Sequence, residues 1–186
     1  RRKTFDVLFE THVGMTALVK QPCLWRSGFY YTLSVGLFSG VVTNSWLLQE
    51  PLEVRLGIVA VMIIMCGTAL AMYGFLLHGI LETFGALAGD AKGLICLLGY
   101  TTLPFLVLTP GALLAGKMGF DGIFLLAGVT LVGCLWMLYL LVRSLEVVYI
   151  IDFTRAAATV LFSLLLLYIV LVLPWQVGLN LLLRHF

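Results

Sequence analysis

Residues 56–81 read LGIVAVMIIMCGTALAMYGFLLHGIL, a run without a single Asp, Glu, Lys or Arg. A helix that crosses the hydrocarbon core of a bilayer needs about 20 mostly apolar residues, so this run is long enough to span a membrane. The whole chain shares its character, because 62% of the 186 residues are hydrophobic and 11% are charged. An ordinary soluble domain has about 25% charged residues. The composition therefore excludes a soluble domain, a disordered chain and a disulfide-rich secreted scaffold.

Four further segments have the length and apolar character of a membrane span. We expect five transmembrane helices, at residues 28–48, 56–81, 94–115, 122–142 and 156–173. The connecting loops are short and hold nearly all of the charge, which leaves no room for a soluble domain. The sequence thus predicts an all-α membrane protein with a five-span domain at residues 28–186, preceded by a cytoplasmic or interfacial segment at residues 1–27.

Lysine and arginine residues are unevenly divided between alternate loops, and short cytoplasmic loops carry an excess of these residues. With the N-terminus in the cytoplasm, the inner segments hold Arg1, Arg2, Lys3, Lys20, Arg26, Lys92, Arg143 and Arg155. The outer segments hold Arg55, Lys117 and Arg184. This bias predicts a cytoplasmic N-terminus and a C-terminus outside.

The segment before the first span has apolar residues at helical spacing, namely Phe5, Leu8, Phe9, Val13 and Ala17. One interpretation is an amphipathic helix that lies in the membrane interface. The alternative is an amphipathic helix that docks on the bundle. Aromatic residues near the predicted span ends are expected to act as interface anchors; they are Trp25, Tyr30, Tyr31, Trp46, Trp136, Tyr139, Tyr149 and Trp175.

The third predicted span contains two prolines. Pro104 has no N–H, so the carbonyl of Tyr100 loses its helical partner, and the neighbouring threonines at 101 and 102 are placed to compensate. Pro110, followed by Gly111, interrupts the pattern a second time. The span is either a hinge or discontinuous helix of the kind that transporters use, or a kinked helix that serves packing.

His78 and Glu82 are one helical turn apart and share a face. A histidine–carboxylate pair at a membrane boundary can relay protons or hold a metal, with Asp90 as a further ligand. The alternative is that these side chains lie in the wet interface without a role. Because no second histidine and no HExxH-like spacing accompany them, we expect no metal site.

The predicted inner loop at residues 143–155 carries two opposite-charge pairs, Arg143/Glu146 and Asp152/Arg155, each three residues apart. They form local ion pairs on a helix, a docking face for a cytoplasmic protein partner, or both.

Small residues are spaced four apart at two places. Gly36 and Gly40 suit close helix packing, either within the molecule or between two copies in a homo-oligomer. Gly85, Gly89 and Gly93 straddle a predicted loop and indicate a turn.

The sequence contains no recognisable catalytic motif. No Ser-His-Asp order, GxSxG elbow, P-loop or dinucleotide fingerprint is present, and the four cysteines share no CxxC spacing. A net charge of +2 without a basic patch also gives no indication of nucleic-acid binding. We expect a protein that is not an enzyme and needs no cofactor.

Three stretches together resemble a known family: residues 78–82 (HGILE), 87–93 (LAGDAKG) and 98–104 (LGYTTLP). They are similar to the Yip family, the Ypt/Rab-interacting membrane proteins, and particularly to its bacterial members. That family has a small glycine-rich inner loop and then a span in which a Gly-Tyr is followed by a proline four residues after the tyrosine. The matching positions are Gly99, Tyr100 and Pro104.

The resemblance implies a five-span helical domain with a cytoplasmic N-terminus, in the plasma (inner) membrane of a bacterium. Eukaryotic members of the family are associated with Rab GTPases and vesicle traffic. The interaction candidates on these motifs are His78, Glu82, Asp90, Gly99, Tyr100 and Pro104. A further candidate is Arg155, because the stretch Thr154-Arg155-Ala156 at the start of the last span also resembles the family.

Two hypotheses for function follow. The first is a non-enzymatic membrane protein that organises protein partners or lipids through its inner face. The alternative is a transporter or channel component for a small solute or ion, which uses the proline-broken third span with His78 and Glu82 near its mouth.

Overall fold

A computed structural model describes residues 7–8, 11–19, 22–47, 49–86 and 89–172, with the side chains of residues 12, 171 and 172 excepted. Some predictions made above concern residues outside this part of the chain: Arg1, Arg2, Lys3, Phe5, Phe9, Lys20, Trp175 and Arg184.

Within the described residues the secondary structure is helical throughout, without a strand. In chain order the helices are α1 (Thr11–Val19), α2 (Leu24–Trp46), α3 (Leu52–Thr83), α4 (Ala91–Thr101), α5 (Leu103–Lys117), α6 (Gly122–Tyr149) and α7 (Phe153–Leu167), and a π-helical turn follows at Tyr168–Val172. The all-α class is confirmed.

Within the described residues, four stretches are long and apolar enough to cross a membrane: Leu52–Thr83, Ala91–Lys117, Gly122–Tyr149 and Phe153–Val170. The remaining long helix, α2, has 23 residues, which corresponds to about 34 Å. Its polar residues Ser27, Ser34 and Thr43 are buried against other helices. The Ser34 hydroxyl donates to the Tyr30 carbonyl at 2.7 Å, so that polar group is satisfied within the helix.

The connection after the fourth span is shorter than predicted. Helix α6 continues to Tyr149 instead of ending at residue 142, and α7 begins at Phe153. Residues 150–152 therefore connect the two helices, and most of the predicted loop at 143–155 is helical. The reason is that charged side chains such as Arg143 can lie on the outside of a helix end without interrupting its backbone hydrogen bonds.

The third span is interrupted once, at Thr102, between α4 and α5. The hydroxyls of Thr101 and Thr102 donate to the carbonyls of Leu98 and Gly99, at 2.7 and 2.8 Å. The carbonyl of Tyr100 accepts the backbone N–H of Thr102. Proline at position 104 has no N–H to donate, and each of these three carbonyls accepts a hydrogen bond from a nearby threonine instead. The apolar interior of a bilayer requires such partners for backbone carbonyls.

The second predicted interruption is wrong, because α5 runs through Pro110 to Lys117 as one helix. Thr109, the residue before this proline, donates its hydroxyl to the Phe105 carbonyl at 2.8 Å. A proline removes one hydrogen bond, and the flanking turns of α5 hold the helix together across it.

Substitution of Pro104 by alanine is expected to straighten the third span, because the new N–H at position 104 can donate to the Tyr100 carbonyl. Spin labels at Lys92 and Lys117, both exposed, report the change by electron–electron distance measurement. The distance should increase toward the ~38 Å of a continuous helix. Pro110→Ala is the matched control and should leave the distance unchanged; an unchanged distance in Pro104→Ala would contradict the interpretation of Pro104 as the cause of the break.

The core lies at one end of the bundle. Helix α4 is central there and packs against α1, α2, α3 and α6, whereas α5 packs at the periphery between α2 and α6. The core side chains come from the C-terminal ends of α3 and α6 and from α4: Leu77, Leu81, Leu94, Leu97, Leu98, Tyr100, Leu140, Leu145 and Tyr149. We call this end, which holds residues 84–86, 89–90 and 150–152, the loop rim, and the other end the opposite rim.

Helix α1 docks on the bundle, as the second interpretation of the N-terminal segment expects. Met15 is fully buried, and the Ser144 hydroxyl on α6 lies 3.6 Å from its sulfur. The inward face carries Leu8, Thr11 and Met15, whereas Val13 is exposed. Of the described residues in the predicted apolar stripe, Leu8 is buried and Ala17 is half-buried, and only the prediction for Val13 is wrong. The reason is that the helix is apolar on more than one face, and packing against α4 and α6 selects which face is buried.

Candidate functional site

A polar network joins α3 to α6 near the loop rim. His78 Nδ1 is hydrogen-bonded to the Tyr149 hydroxyl, and His78 Nε2 lies 3.3 Å from Glu82 Oε1. Glu82 is more than half exposed, at 56%, whereas Tyr149 is buried. The predicted contact between His78 and Glu82 is confirmed. Tyr149, however, was expected to be an interface anchor, and that prediction is wrong: it is the buried partner of His78.

In a neutral imidazole one ring nitrogen accepts and the other donates, so the Tyr149 O–H can donate to His78 Nδ1 while the Nε2–H lies on the side of Glu82. The pair His78 Nε2 and Glu82 Oε1 is within ion-pair distance and is not a hydrogen bond. The chain of polar contacts therefore runs from a buried phenol to an exposed carboxylate. Because two helices that are distant in sequence supply its members, it joins the C-terminal ends of α3 and α6.

Asp90 has a different role from the one considered from sequence. Its carboxylate accepts the backbone N–H groups of Lys92 and Gly93, at 3.1 and 3.2 Å, and so caps the N-terminus of α4. A cap of this type contributes roughly 1 kcal/mol to helix stability. Over the described residues, no three His, Cys, Asp or Glu side chains are grouped so that they could hold a metal ion.

Gly89 brings the loop at the rim onto Tyr149. A Cβ at this position would lie 2.7 Å from Cγ of the Tyr149 ring, which is closer than carbon atoms approach. Gly85 has a φ of +80° and forms the turn after α3. The predicted turn is confirmed, and Gly89 also holds the tyrosine ring in place.

Arg155 closes the end of α3. Its Nη2 donates to the Phe84 carbonyl at 2.8 Å, where the unsatisfied carbonyls and the negative end of the helix dipole favour a cation. The predicted Asp152–Arg155 ion pair is absent between these two described residues, because the guanidinium reaches across to the neighbouring helix end instead. The other predicted pair is confirmed: Arg143 Nη1 lies 2.8 Å from Glu146 Oε2.

Gly99 and Tyr100 of the family-like motif serve packing. A Cβ on Gly99 would lie 2.7 Å from the backbone oxygen of Ser27, so the glycine lets α2 and α4 approach closely. Tyr100 is 1% exposed, and its ring lies 5.4 Å from the ring of Tyr30. Pro104 lies in the first turn of α5. All three positions shape the third span against the first.

Gly36 and Gly40, the two glycines of the first span that were predicted to serve helix packing, have different surroundings. A Cβ on Gly36 would lie 3.3 Å from Ile63 of α3, whereas a Cβ on Gly40 would have no neighbour within 4 Å among the described residues. Closer approaches occur at glycines that four-residue spacing did not identify: Gly99 faces Ser27, and Gly116 faces Ser45. Both lie on the third span and meet a serine of α2.

Ile150 is the unusual residue of the loop rim, and sequence analysis missed it. It ends α6 with φ 54° and ψ 47°, in the left-handed region, and its side chain is 83% exposed. Helices commonly end in this conformation with glycine or asparagine. A β-branched residue there is a genuine outlier and costs roughly 1–3 kcal/mol.

The best-defined cavities in the described part of the chain are lined by other residues than His78, Glu82 and Tyr100. Between the polar network and the middle of the bundle lie buried leucines, among them Leu77, Leu97 and Leu145. The buried side chains of α3, α4 and α6 next to the network on this side are therefore apolar.

These features define a class: a multi-pass helical membrane protein with a core at one rim. The family model described as the Yip1 domain matches residues 5–173, which is nearly the whole chain. The chain belongs to the Yip1 domain family. Comparison with curated proteins and with solved structures gave no match.

Proposed function

We propose that the chain crosses the bilayer five times, with α2 as the first span, the N-terminus in the cytoplasm and the C-terminus outside. The length of α2 and the inward position of its buried serines and threonine support its assignment as a span. The excess of lysine and arginine in alternate loops supports the orientation. In this topology the loop rim faces the cytoplasm. The bacterial plasma membrane stays a prediction from the resemblance.

We further propose that the protein is a non-enzymatic organiser that docks a protein partner on its loop rim. The observation that carries this proposal is Ile150, a large apolar side chain that is exposed and held in a conformation that glycine adopts without strain. Strain of this kind persists where the surrounding structure imposes it, and it is concentrated at functional positions.

The surroundings of Ile150 suit a protein interface, which combines an apolar centre with a polar margin. Phe84 and Phe153 are exposed on the same rim, and the ring of Phe153 lies 4.9 Å from the guanidinium carbon of Arg143. The rim also carries exposed charges of both signs: Glu82, Asp90, Lys92, Asp152 and Arg155. Glu82 and Arg155 are held in place by His78 and by the Phe84 carbonyl.

Replacement of Ile150 by glycine is expected to weaken binding of the partner without lowering the stability of the fold. Glycine removes the exposed side chain and relieves the left-handed strain, so the free energy of unfolding should stay the same or rise by about 1 kcal/mol. Binding to the partner should fall about tenfold or more, as for an anchor residue at the centre of an interface. Photo-crosslinking from position 150 in the native membrane identifies the partner, and affinity purification measures its retention.

Phe120→Ser is the matched control, because Phe120 is also exposed but lies at the opposite rim. It should leave partner retention unchanged. Equal retention by Ile150→Gly and the parent protein would refute docking through Ile150, as would crosslinks from position 150 to lipid alone.

The transporter alternative has less support. It depended on a twice-interrupted third span with a polar entrance at His78 and Glu82. Helix α5 is continuous through Pro110, and buried leucines lie between the polar network and the middle of the bundle. We therefore do not propose transport as a function.

A further inference from the structure

A cavity of about 430 Å³ lies around the middle of the bundle, between the two rims. Pockets that hold small molecules commonly have volumes of roughly 300–1,000 Å³. Helix α3 contributes one continuous wall with Met62, Cys66, Ala69 and Tyr73, and α2, α5 and α6 supply the others, including Phe38, Phe105 and Met137.

The break in the third span explains why this space is empty. On the loop-rim side of the break, α4 occupies the centre of the bundle and fills it with buried side chains. On the other side of the break, α5 leaves the centre and packs between α2 and α6. Thr102 and Phe105, on either side of this change of position, line the cavity. The hollow is thus a direct consequence of the helix break at Thr102.

The hydroxyl groups at the walls of the cavity are hydrogen-bonded to other protein groups, which leaves few partners for water. The Tyr31 hydroxyl donates to the Ile63 carbonyl at 2.6 Å, and the Tyr73 hydroxyl is 2.7 Å from Ser163 Oγ. The Ser39 hydroxyl donates to the Val35 carbonyl at 2.6 Å. The polar groups at the walls are therefore already bonded within the protein, and an apolar cavity of this kind excludes water and accepts apolar ligands.

Arg55 lies on the same helix, α3, between the cavity and the opposite rim. Its Nη1 donates to the Asn44 side chain at the end of α2, whereas its Nε is buried and has no hydrogen-bond partner among the described residues. An unsatisfied buried donor in a native structure points to a missing ligand, ion or water. Met62 follows Arg55 by seven residues, which places both on one face of α3, about 10 Å apart along the axis.

The cavity is within reach of a lipid whose phosphate is at Arg55. Its wall on α3 begins at Met62, about 10 Å from Arg55 along the helix axis, and ends at Tyr73, about 27 Å from it. The hydrocarbon core of a bilayer is about 30 Å thick, so this wall lies around the middle of the core, where acyl chains end. A cation at the rim and an apolar cavity at this depth are the two parts of a phospholipid site.

We propose that a membrane phospholipid binds here, with its phosphate on the Arg55 guanidinium beside Asn44 and one acyl chain in the cavity between α2, α3, α5 and α6. Arginine is well suited to the phosphate because its planar group presents several donors in a fixed geometry. The site lies at the rim opposite to Ile150, and it is independent of the proposed partner docking.

Native mass spectrometry of the full chain, purified in mild detergent and exposed to phosphatidylglycerol, tests the proposal. Ala69→Trp fills the cavity, and Arg55→Gln removes the cation. Each variant should lower the retained lipid about tenfold, as expected when a well-formed contact is lost. Two matched controls should retain the parental amount: Ala60→Trp, which is about 180° away on the same helix, and Lys117→Gln, an exposed cation at the same rim.

Two further measurements keep the test independent of misfolding and of other occupants. Alkylation of Cys66 after folding should reduce lipid retention as Ala69→Trp does, because this cysteine is free and lines the cavity. A photo-crosslinker at position 105 should give an adduct with the mass of a phospholipid. A crosslink to a segment of this chain or to a second copy would overturn the proposal, as would equal lipid retention in the cavity variants and their controls.

Discussion

Replacement of Gly99 by leucine is expected to destabilise the bundle by about 3 kcal/mol or more, at or above the upper end of the usual cost of overpacking. The added Cβ would meet the backbone oxygen of Ser27 at 2.7 Å and its carbonyl carbon at 3.0 Å. A flexible side chain could move aside, but backbone atoms move only with their helix. The variant must therefore separate α2 from α4, at the place where the first and third spans approach each other. SDS-induced unfolding in mixed micelles, followed by circular dichroism, measures the loss.

Gly93→Ala is the matched control on the same helix. A Cβ at position 93 would have its nearest neighbour, an Asp90 carboxylate oxygen, at 4.0 Å, so there is room for a methyl group. Alanine also favours the helix over glycine by up to about 1 kcal/mol. We expect stability equal to that of the parent or higher. If Gly99→Leu were as stable as Gly93→Ala, the close approach at Ser27 would not exist in the membrane.

Truncation of Tyr100 to alanine is expected to cost about 3–5 kcal/mol, the usual range for deletion of a large buried aromatic side chain. The Tyr100 ring is 1% exposed and lies against the ring of Tyr30 on α2. Inside a bilayer the loss arises from dispersion contacts that disappear without replacement, since helices associate there through packing. The same unfolding assay in mixed micelles measures it.

Tyr100→Phe distinguishes the contribution of the ring to stability from that of the hydroxyl, because it removes only the hydroxyl. Within the described part of the chain, no hydrogen bond of the Tyr100 hydroxyl is found, so this change should cost less than about 1.5 kcal/mol. A large loss of stability in Tyr100→Phe would show that the hydroxyl, and not the ring, is the important group. A small loss in Tyr100→Ala would show that the packing around α4 is looser than described.

These two predictions give the Gly-Tyr-Pro motif of the third span a physical account. Gly99 permits the approach of the first span, Tyr100 fills the space beside it, and Pro104 lies in the first turn of a new helix that leaves the centre of the bundle. The same break opens the cavity beneath Thr102 that we propose as a lipid site. One short motif thus contributes both to the packed core near the loop rim and to the cavity in the middle of the bundle.

Features that depend on local spacing could be predicted from the sequence. His78 and Glu82 are four residues apart and Arg143 and Glu146 three apart, and both pairs meet as expected because a helix places such residues on one face. Gly85 forms its turn for a comparable reason, since glycine adopts a positive φ without strain.

Contacts between distant segments could not be predicted in this way. His78 and Tyr149 are 71 residues apart, as are Arg155 and Phe84. Nothing in their sequence spacing indicates that they meet. Ile150 shows the same limit, because its backbone conformation follows from how α6 and α7 are joined and packed, and a local pattern would have suggested glycine at that position.

The sequence alone determined that this protein lies in a membrane, that it is helical and which segments are apolar, because composition and periodicity act residue by residue through transfer to hydrocarbon. Tertiary structure decided which face of α1 is buried, where the core lies, and which partners His78 and Arg155 have. The physical reason is that in a chain with 62% hydrophobic residues nearly every helix face is apolar. Hydrophobicity cannot then choose among faces, and close packing at residues such as Gly99 makes the choice.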